Sequence, residues 1–141
     1  MILPPLFELS YIGVAEPGVP NKERIILRPS EVINLAQCGI LLGLKNEGGI
    51  ITPLQDSFFW FGEVVVGPPS WIIIYTGSGQ YQQTLIPNTE QTAYTFHWGK
   101  NYTLFNFPNI VPVIFRMGGI LTGTPVPLGT VPQLAQGVMP K

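Results

Sequence analysis

Between Phe58 and Gly79, two apolar runs rich in β-branched and aromatic residues flank a Gly-Pro-Pro break. Val64, Val65 and Val66, and then Trp71, Ile72, Ile73, Ile74 and Tyr75, are too short for a buried helix and match strands covered on both faces. Pro68 and Pro69 have no N–H to give to a ladder, and Pro68 biases Gly67 toward an extended or turn conformation. The pattern therefore predicts two interior strands on either side of the break. Such segments, with Glu63 as their only charge, would pair with other chains if their edges stayed open, so other strands, terminal arms or a second subunit must cover them.

The flanking sequence supplies more strands. Ile25-Ile26-Leu27-Arg28 reads as a first core strand ended by Pro29, and the preceding Lys22, Glu23 and Arg24 read as a solvated strand end. Residues 30–44 allow two readings. Ser30 can cap a short helix that turns Val32, Ile33, Leu35 and Ala36 inward, whereas Gly39, Gly43 and the run Ile40-Leu41-Leu42 favour a strand, preferred for 39–44. Asn46-Glu47-Gly48-Gly49 is a turn, since glycine supplies the positive φ of tight hairpins, and Ile50-Ile51-Thr52 starts a further strand stopped by Pro53. Residues 80–86 form a polar strand near an edge, with Tyr81, Gln83 and Leu85 on one face. Thr92, Tyr94, Phe96 and Trp98 alternate with Ala93, Thr95 and His97, which requires a buried aromatic face. Tyr102 to Phe107 is expected to return as its partner strand, and Ile110 to Met117 is a last strand held to an edge or a first position by Pro112.

Both ends differ from this centre. Residues 1–21 carry Pro4, Pro5, Pro17, Gly18 and Pro20 among apolar residues, which favours an extended arm with short pairing near Phe7 to Ile12. Residues 118–141 hold five Gly, four Pro and no charge before Lys141, yet remain apolar. A free linker would be polar, so this stretch reads as an arm that lies along another surface. The expected architecture is all-β: an antiparallel β-sandwich or barrel core over 22–117, with Pro/Gly-rich arms at 1–21 and 118–141.

Composition sharpens the picture. Hydrophobic residues make up 45% of the 141 and charged residues 11%, against a usual charged share of about 25%, so part of the surface is expected to be hidden in an assembly. The net charge of −1 and seven scattered basic residues do not form the basic patch that grips phosphates, which argues against nucleic acid as a partner. The start, MILPPLFELSYIGVAEP, lacks a basic n-region and does not read as a signal peptide; no apolar run reaches the ~20 residues of a membrane helix.

Catalytic chemistry has little to draw on. The single Cys38, His97 and Asp56 lie far apart with no supporting motif, and one thiol excludes an intramolecular disulfide or a multi-thiolate metal site. Cys38 beside Gly39-Ile40-Leu41 reads as a buried hydrophobe, and His97 between Phe96 and Trp98 as part of a strand. The chain is expected to be no enzyme and to need no cofactor. Trp71, Tyr75 and Tyr81 are the candidates for a glycan platform, because pyranose rings stack on exposed aromatic faces; aromatics at strand spacing more often fill a core.

The β-core, the aromatic-Gly turns Phe61-Gly62 and Trp98-Gly99, the low charge and the apolar Pro/Gly-rich ends resemble small accessory virion proteins of tailed bacteriophages, above all head decoration or cement proteins. The resemblance implies a homo-oligomer that is made in the host cytoplasm, ends in the virion and bridges neighbouring subunits, with the major capsid protein as its other partner. On that reading the subunit contacts fall on the apolar arm residues Leu3, Leu6 and Phe7 at one end, and Ile120, Leu121, Val126, Leu128, Val131 and Leu134 at the other. The alternatives are a tail or baseplate adaptor, or a tail-tip domain that binds a host glycan.

Overall fold

The structure, a computed structural model, describes residues 4–125. The chain is all-β. Two sheets share one core: a five-stranded sheet in the order β1 (Leu9–Ala15), β2 (Arg24–Pro29), β8 (Ser70–Tyr75), β10 (Thr92–His97) and β9 (Gln82–Leu85), and a smaller sheet in which β11 (Ile110–Arg116) and β5 (Ile51–Pro53) flank β4 (Cys38–Lys45) and β6 (Phe59–Trp60) also pairs with β4.

In the larger sheet, β1 (Leu9–Ala15) pairs antiparallel with β2 (Arg24–Pro29), and β2 with β8 (Ser70–Tyr75). The expected core strand Ile25–Arg28 is thus β2, and the apolar run Trp71–Tyr75 is an interior strand of the sheet, as expected. It is buried on one face only: Ile72 and Ile74 face the core while Trp71, Ile73 and Tyr75 turn outward, not covered on both faces as the sequence predicts. Pairing in the N-terminal stretch begins at Leu9 and runs to Ala15, further than the Phe7 to Ile12 segment, so an edge strand occupies much of residues 1–21. From β8 the chain passes to the far edge as β9 (Gln82–Leu85) and returns as β10 (Thr92–His97), filling the place between β9 and β8. That route makes β10 antiparallel to β9 and parallel to β8, the one parallel pair in a sheet otherwise antiparallel.

In the smaller sheet, β4 (Cys38–Lys45) is central and antiparallel to β11 (Ile110–Arg116), β5 (Ile51–Pro53) and β6 (Phe59–Trp60). The ambiguity over 30–44 resolves into β3 (Ile33–Asn34), a single 3-10 turn at Leu35–Gln37 capped by the Asn34 side chain, and β4. The expected Asn46–Gly49 turn is present: Gly49 N–H donates to Asn46 O, and Gly49 takes φ +82°.

The two inner faces meet in one core. Ile25 and Leu27 of β2, Ile72 and Ile74 of β8 and Phe96 of β10 pack against Cys38, Ile40 and Leu42 of β4, with Leu35, Phe61 and Val66 closing the end. Tyr94 and Trp98 are partly buried against this core beside Phe96, the aromatic face that the alternation of β10 requires. At about 25 cal/mol per Å², burying such branched aliphatic side chains contributes roughly 1.5–3 kcal/mol each before conformational entropy is counted.

Three further expectations are corrected. Val64–Val66 is not an interior strand: only β7 (Val65–Val66) pairs, with β3, and Val65 is exposed. The segment sits between the left-handed Gly62, at φ +75°, and Gly67-Pro68-Pro69, which leaves too little extended chain for a longer ladder. Tyr102–Phe107 is not a partner strand for β10, whose two sides are already taken by β8 and β9. Glu23 is not solvated; it is 1% exposed, and it holds the 102–107 loop in place.

The Glu23 carboxylate ties three chain segments together. Its Oε1 accepts from Leu104 N–H at 2.7 Å and from the Thr76 hydroxyl at 2.7 Å, while Oε2 accepts from Gly18 N–H at 2.7 Å and Phe105 N–H at 3.0 Å. Burial pushes this carboxyl's pKa up, but the hydrogen bonds from Leu104, Gly18, Thr76 and Phe105 together outweigh burial and hold it below its ordinary value. A charged acceptor surrounded by four donors satisfies buried N–H groups that the irregular loop cannot satisfy through a ladder.

Candidate interaction surface

The outer faces of the two sheets differ in chemistry. Alternation along β2 and β8 turns Arg24, Ile26 and Arg28, and Trp71, Ile73 and Tyr75, outward on the larger sheet. There the aromatics are capped by cations: Arg28 lies over the Trp71 ring at 4.1 Å and Arg24 over Tyr75 at 5.7 Å, while His97 stacks on Tyr75 with ring centroids 5.4 Å apart. Guanidinium groups positioned over these rings keep charge at the surface, so this face is compatible with water.

Among the described residues the smaller sheet has no such cation cover. With Cys38, Ile40 and Leu42 turned inward, β4 presents Gly39, Leu41 and Gly43 outward, opposite Phe115, Val113 and Val111 of β11. Gly39 also faces Trp60 of β6, and Gly43 faces Pro53 of β5. The two glycines let larger neighbours lie flat over the strand. A Cβ at Gly39 would stand 2.9 Å from both Phe115 Cζ and Phe58 Cε1, and a Cβ at Gly43 would collide with the Ile51 side chain. Phe58 and Phe115 rest against each other with centroids 5.8 Å apart, and Phe58, Trp60 and Ile51 are exposed. Lys45, at the end of β4, is the one charged residue of that strand. Lys45 shares the outward parity and puts this charge at the rim of the face, whose middle is a patch of aromatic and branched aliphatic side chains, the kind of contiguous patch that marks an interaction site.

A second apolar feature runs down one flank, where β1 and β11 are edge strands among the described residues. Leu6, Leu9, Tyr11, Leu27 and Ile114 line a cleft of about 300 Å³ between them. Tyr11 also borders an adjoining cleft of about 530 Å³ walled by Val14, Phe105, Phe107 and Pro112 among others. Glu8 and Arg116 form an ion pair where β1 begins and β11 ends.

The residues singled out by sequence distribute unevenly over these surfaces. Leu6 lines the flank cleft, while Phe7 is 69% and Leu121 97% exposed, and Ile120 is also exposed. Leu3, Val126, Leu128, Val131 and Leu134 lie outside the described residues. Trp71, Tyr75 and Tyr81 are not brought into one groove. Trp71 and Tyr75 share the cation-capped outer face, and the Trp71 indole N–H donates to Gln91 Oε1 at 2.7 Å; Tyr81 lies on the other side of the sheet, 5.0 Å from the Phe96 ring. Sequence reading missed Phe58, Leu41, Val113 and Phe115. The signal was present in the run CGILLGL at 38–44, which is apolar at both parities and so predicts a strand apolar on both faces.

Cys38 is a buried free thiol and His97 stacks on Tyr75; among the described residues no group of three or more His, Cys, Asp or Glu side chains could hold a metal ion. Burial pushes the Cys38 thiol up to about 11, the Glu8 carboxylate adds to this, and Arg116 opposes it. The folded protein should therefore react with a disulfide reagent at pH 8 at least about a hundredfold more slowly than the unfolded chain, since the thiolate is the nucleophile. Timed absorbance in native buffer and in denaturant checks this, and rapid native labelling would show that Cys38 is not enclosed. The chain matches no protein-family model, no curated protein and no solved structure.

Proposed function

We propose that the chain is a structural assembly protein, a homo-oligomer whose apolar outer sheet face, charged only at its Lys45 rim on β4, packs against a second copy. The observation that carries this is the contrast between the two outer faces: one is capped by Arg24 and Arg28, the other is left as Leu41, Val113, Phe115, Phe58 and Trp60 without a charged side chain among them. A partner surface without charges of its own is the best match for such a face, because burying an unpaired charge against it would cost several kcal/mol. The same face on another copy meets that requirement, and closed two-fold pairing is the commonest arrangement for identical subunits.

Within that reading, the protein serves as an accessory component of a bacteriophage head that bridges neighbouring subunits, with the major capsid protein as its second partner. Low charge, apolar ends and a small β-core support this placement through resemblance of composition and architecture. Sedimentation of the full chain at micromolar concentration tests the assembly step. A discrete multiple of the 15.5 kDa chain is expected; a monomer that persists into the millimolar range refutes it.

A further inference from the structure

We infer that β9, the edge of the larger sheet opposite β1, is a second self-association site, where two copies join strand to strand about a two-fold axis at Gln83. This contact goes beyond the assembly reading and does not use the apolar face. Among the described residues β9 has one ladder partner, β10. Other edge strands carry devices that discourage pairing: β1 is bulged between Tyr11 and Gly13, β11 contains Pro112, and β5 ends on Pro53. β9 has no proline, no charge and no bulge.

The strand also complements itself. Ile86 N–H donates to Gln91 O at 2.8 Å, in the register that sets Leu85 against Thr92 and Gln83 against Tyr94. Bonded and non-bonded positions alternate along an antiparallel pair, so Gln82 and Thr84 bond to β10 while the N–H and C=O groups of Gln83 and Leu85 point to the open side. An antiparallel copy centred on Gln83 uses those groups: Gln83 meets the same residue of the copy, and Leu85 meets Tyr81, the residue directly before the strand. Tyr81 is 45% and Leu85 66% exposed, and the two-fold lays each on the other with the Gln83 amides between them. Residues 64–89 hold no charged side chain, so neither the strand nor its flanking turns repel the same segment of a second copy. Strand addition at a sheet edge by an identical strand therefore satisfies main chain and side chains together.

Charge pairing at position 83 tests this in the full chain, on the Val113→Lys background so that the apolar face does not contribute. Gln83→Lys sets two ammonium groups opposite each other across the axis, and Gln83→Glu two carboxylates, so each variant alone should associate about tenfold more weakly than the parent. Their equimolar mixture should pair at least about tenfold more tightly than either alone by sedimentation equilibrium at low salt, and added salt should shrink that advantage. A mixture that associates no better than its components overturns the inference. Amide exchange in the wild-type chain gives a second reading that needs no charge in the strand. Protection of the Gln83 and Leu85 N–H groups should rise with protein concentration; protection that persists at high dilution would mean that the chain covers its own edge, and would also overturn it. A wild-type oligomer without charge-selective pairing refutes the β9 contact and leaves the apolar-face reading standing. Charge-selective pairing beside a wild-type oligomer untouched by Val113→Lys supports β9 and refutes the face.

Discussion

Replacing Glu23 by glutamine is expected to cost roughly 3–5 kcal/mol of folding stability, a large share of the 5–15 kcal/mol that holds a typical domain together. The side-chain volume hardly changes, so the loss is one of hydrogen-bond chemistry. One amide oxygen can still accept from two of the four donors now bound to the carboxylate. With the new NH₂ group at the Oε1 position the Thr76 hydroxyl can turn to accept from it, but the Leu104 N–H is left donor against donor and buried without an acceptor, and the remaining hydrogen bonds lose their charged acceptor. Gly18, Thr76 and the 104–105 loop would lose their common anchor, and denaturant unfolding monitored by tryptophan fluorescence would show the loss.

The same carboxylate gives the protein an acid-sensitive term. Its folded pKa lies below the ordinary 4.5, so its contribution is fully present above the unfolded value and is lost as pH falls through the folded one. Wild-type stability should accordingly drop as the solution is acidified below about pH 4.5. The Glu23→Gln variant should show a shallower decline over that window. Parallel pH slopes in the two proteins would mean that Glu23 is not the group responsible.

The second large effect concerns association. Val113 faces outward from β11 opposite Leu41, in the middle of the apolar face. In a single chain, the Val113→Lys side chain can extend its ammonium into water, so folding should be nearly unchanged. Between two packed faces that ammonium has no partner, and the dissociation constant should rise by about a hundredfold or more, equivalent to about 3 kcal/mol. Sedimentation equilibrium of the two proteins at matched concentration checks it. An unchanged oligomer would place the contact elsewhere.

Most of the larger sheet was legible in the sequence, because its strands carry their signal locally. The Tyr94-Phe96-Trp98 alternation defines a buried side through periodicity, whereas 25–28 and 71–75 announce strands by β-branched composition and, being apolar at both parities, do not say that Ile25, Leu27, Ile72 and Ile74 are the buried ones. What this could not reveal was strand order. The parallel pairing of β8 with β10 depends on β9 first occupying the far edge, a choice made by packing across the whole sheet.

Glu23 was misread for a related reason. The charge cluster Lys22-Glu23-Arg24 suggests solvent, yet Glu23 shares parity with Ile25 and Leu27 and therefore points inward with them. Its partners come from residues 18, 76, 104 and 105, and nothing local to position 23 announces them. The apolar face was half legible: the apolar run 38–44 is visible, but its exposure follows from there being no layer over the outside of β4 and β11 among the described residues.

Hydroxyl-radical footprinting of that face tests the central claim most directly, since Phe58 is 53% exposed in the single chain. At concentrations where the wild-type protein is assembled, Phe58, Trp60 and Phe115 should be shielded from oxidation and should gain reactivity in Val113→Lys, while Tyr81 and Tyr102, away from the face, react equally in both. If Phe58 and Phe115 are as reactive in the wild-type protein as in Val113→Lys, the face is open to water and assembly through it does not occur.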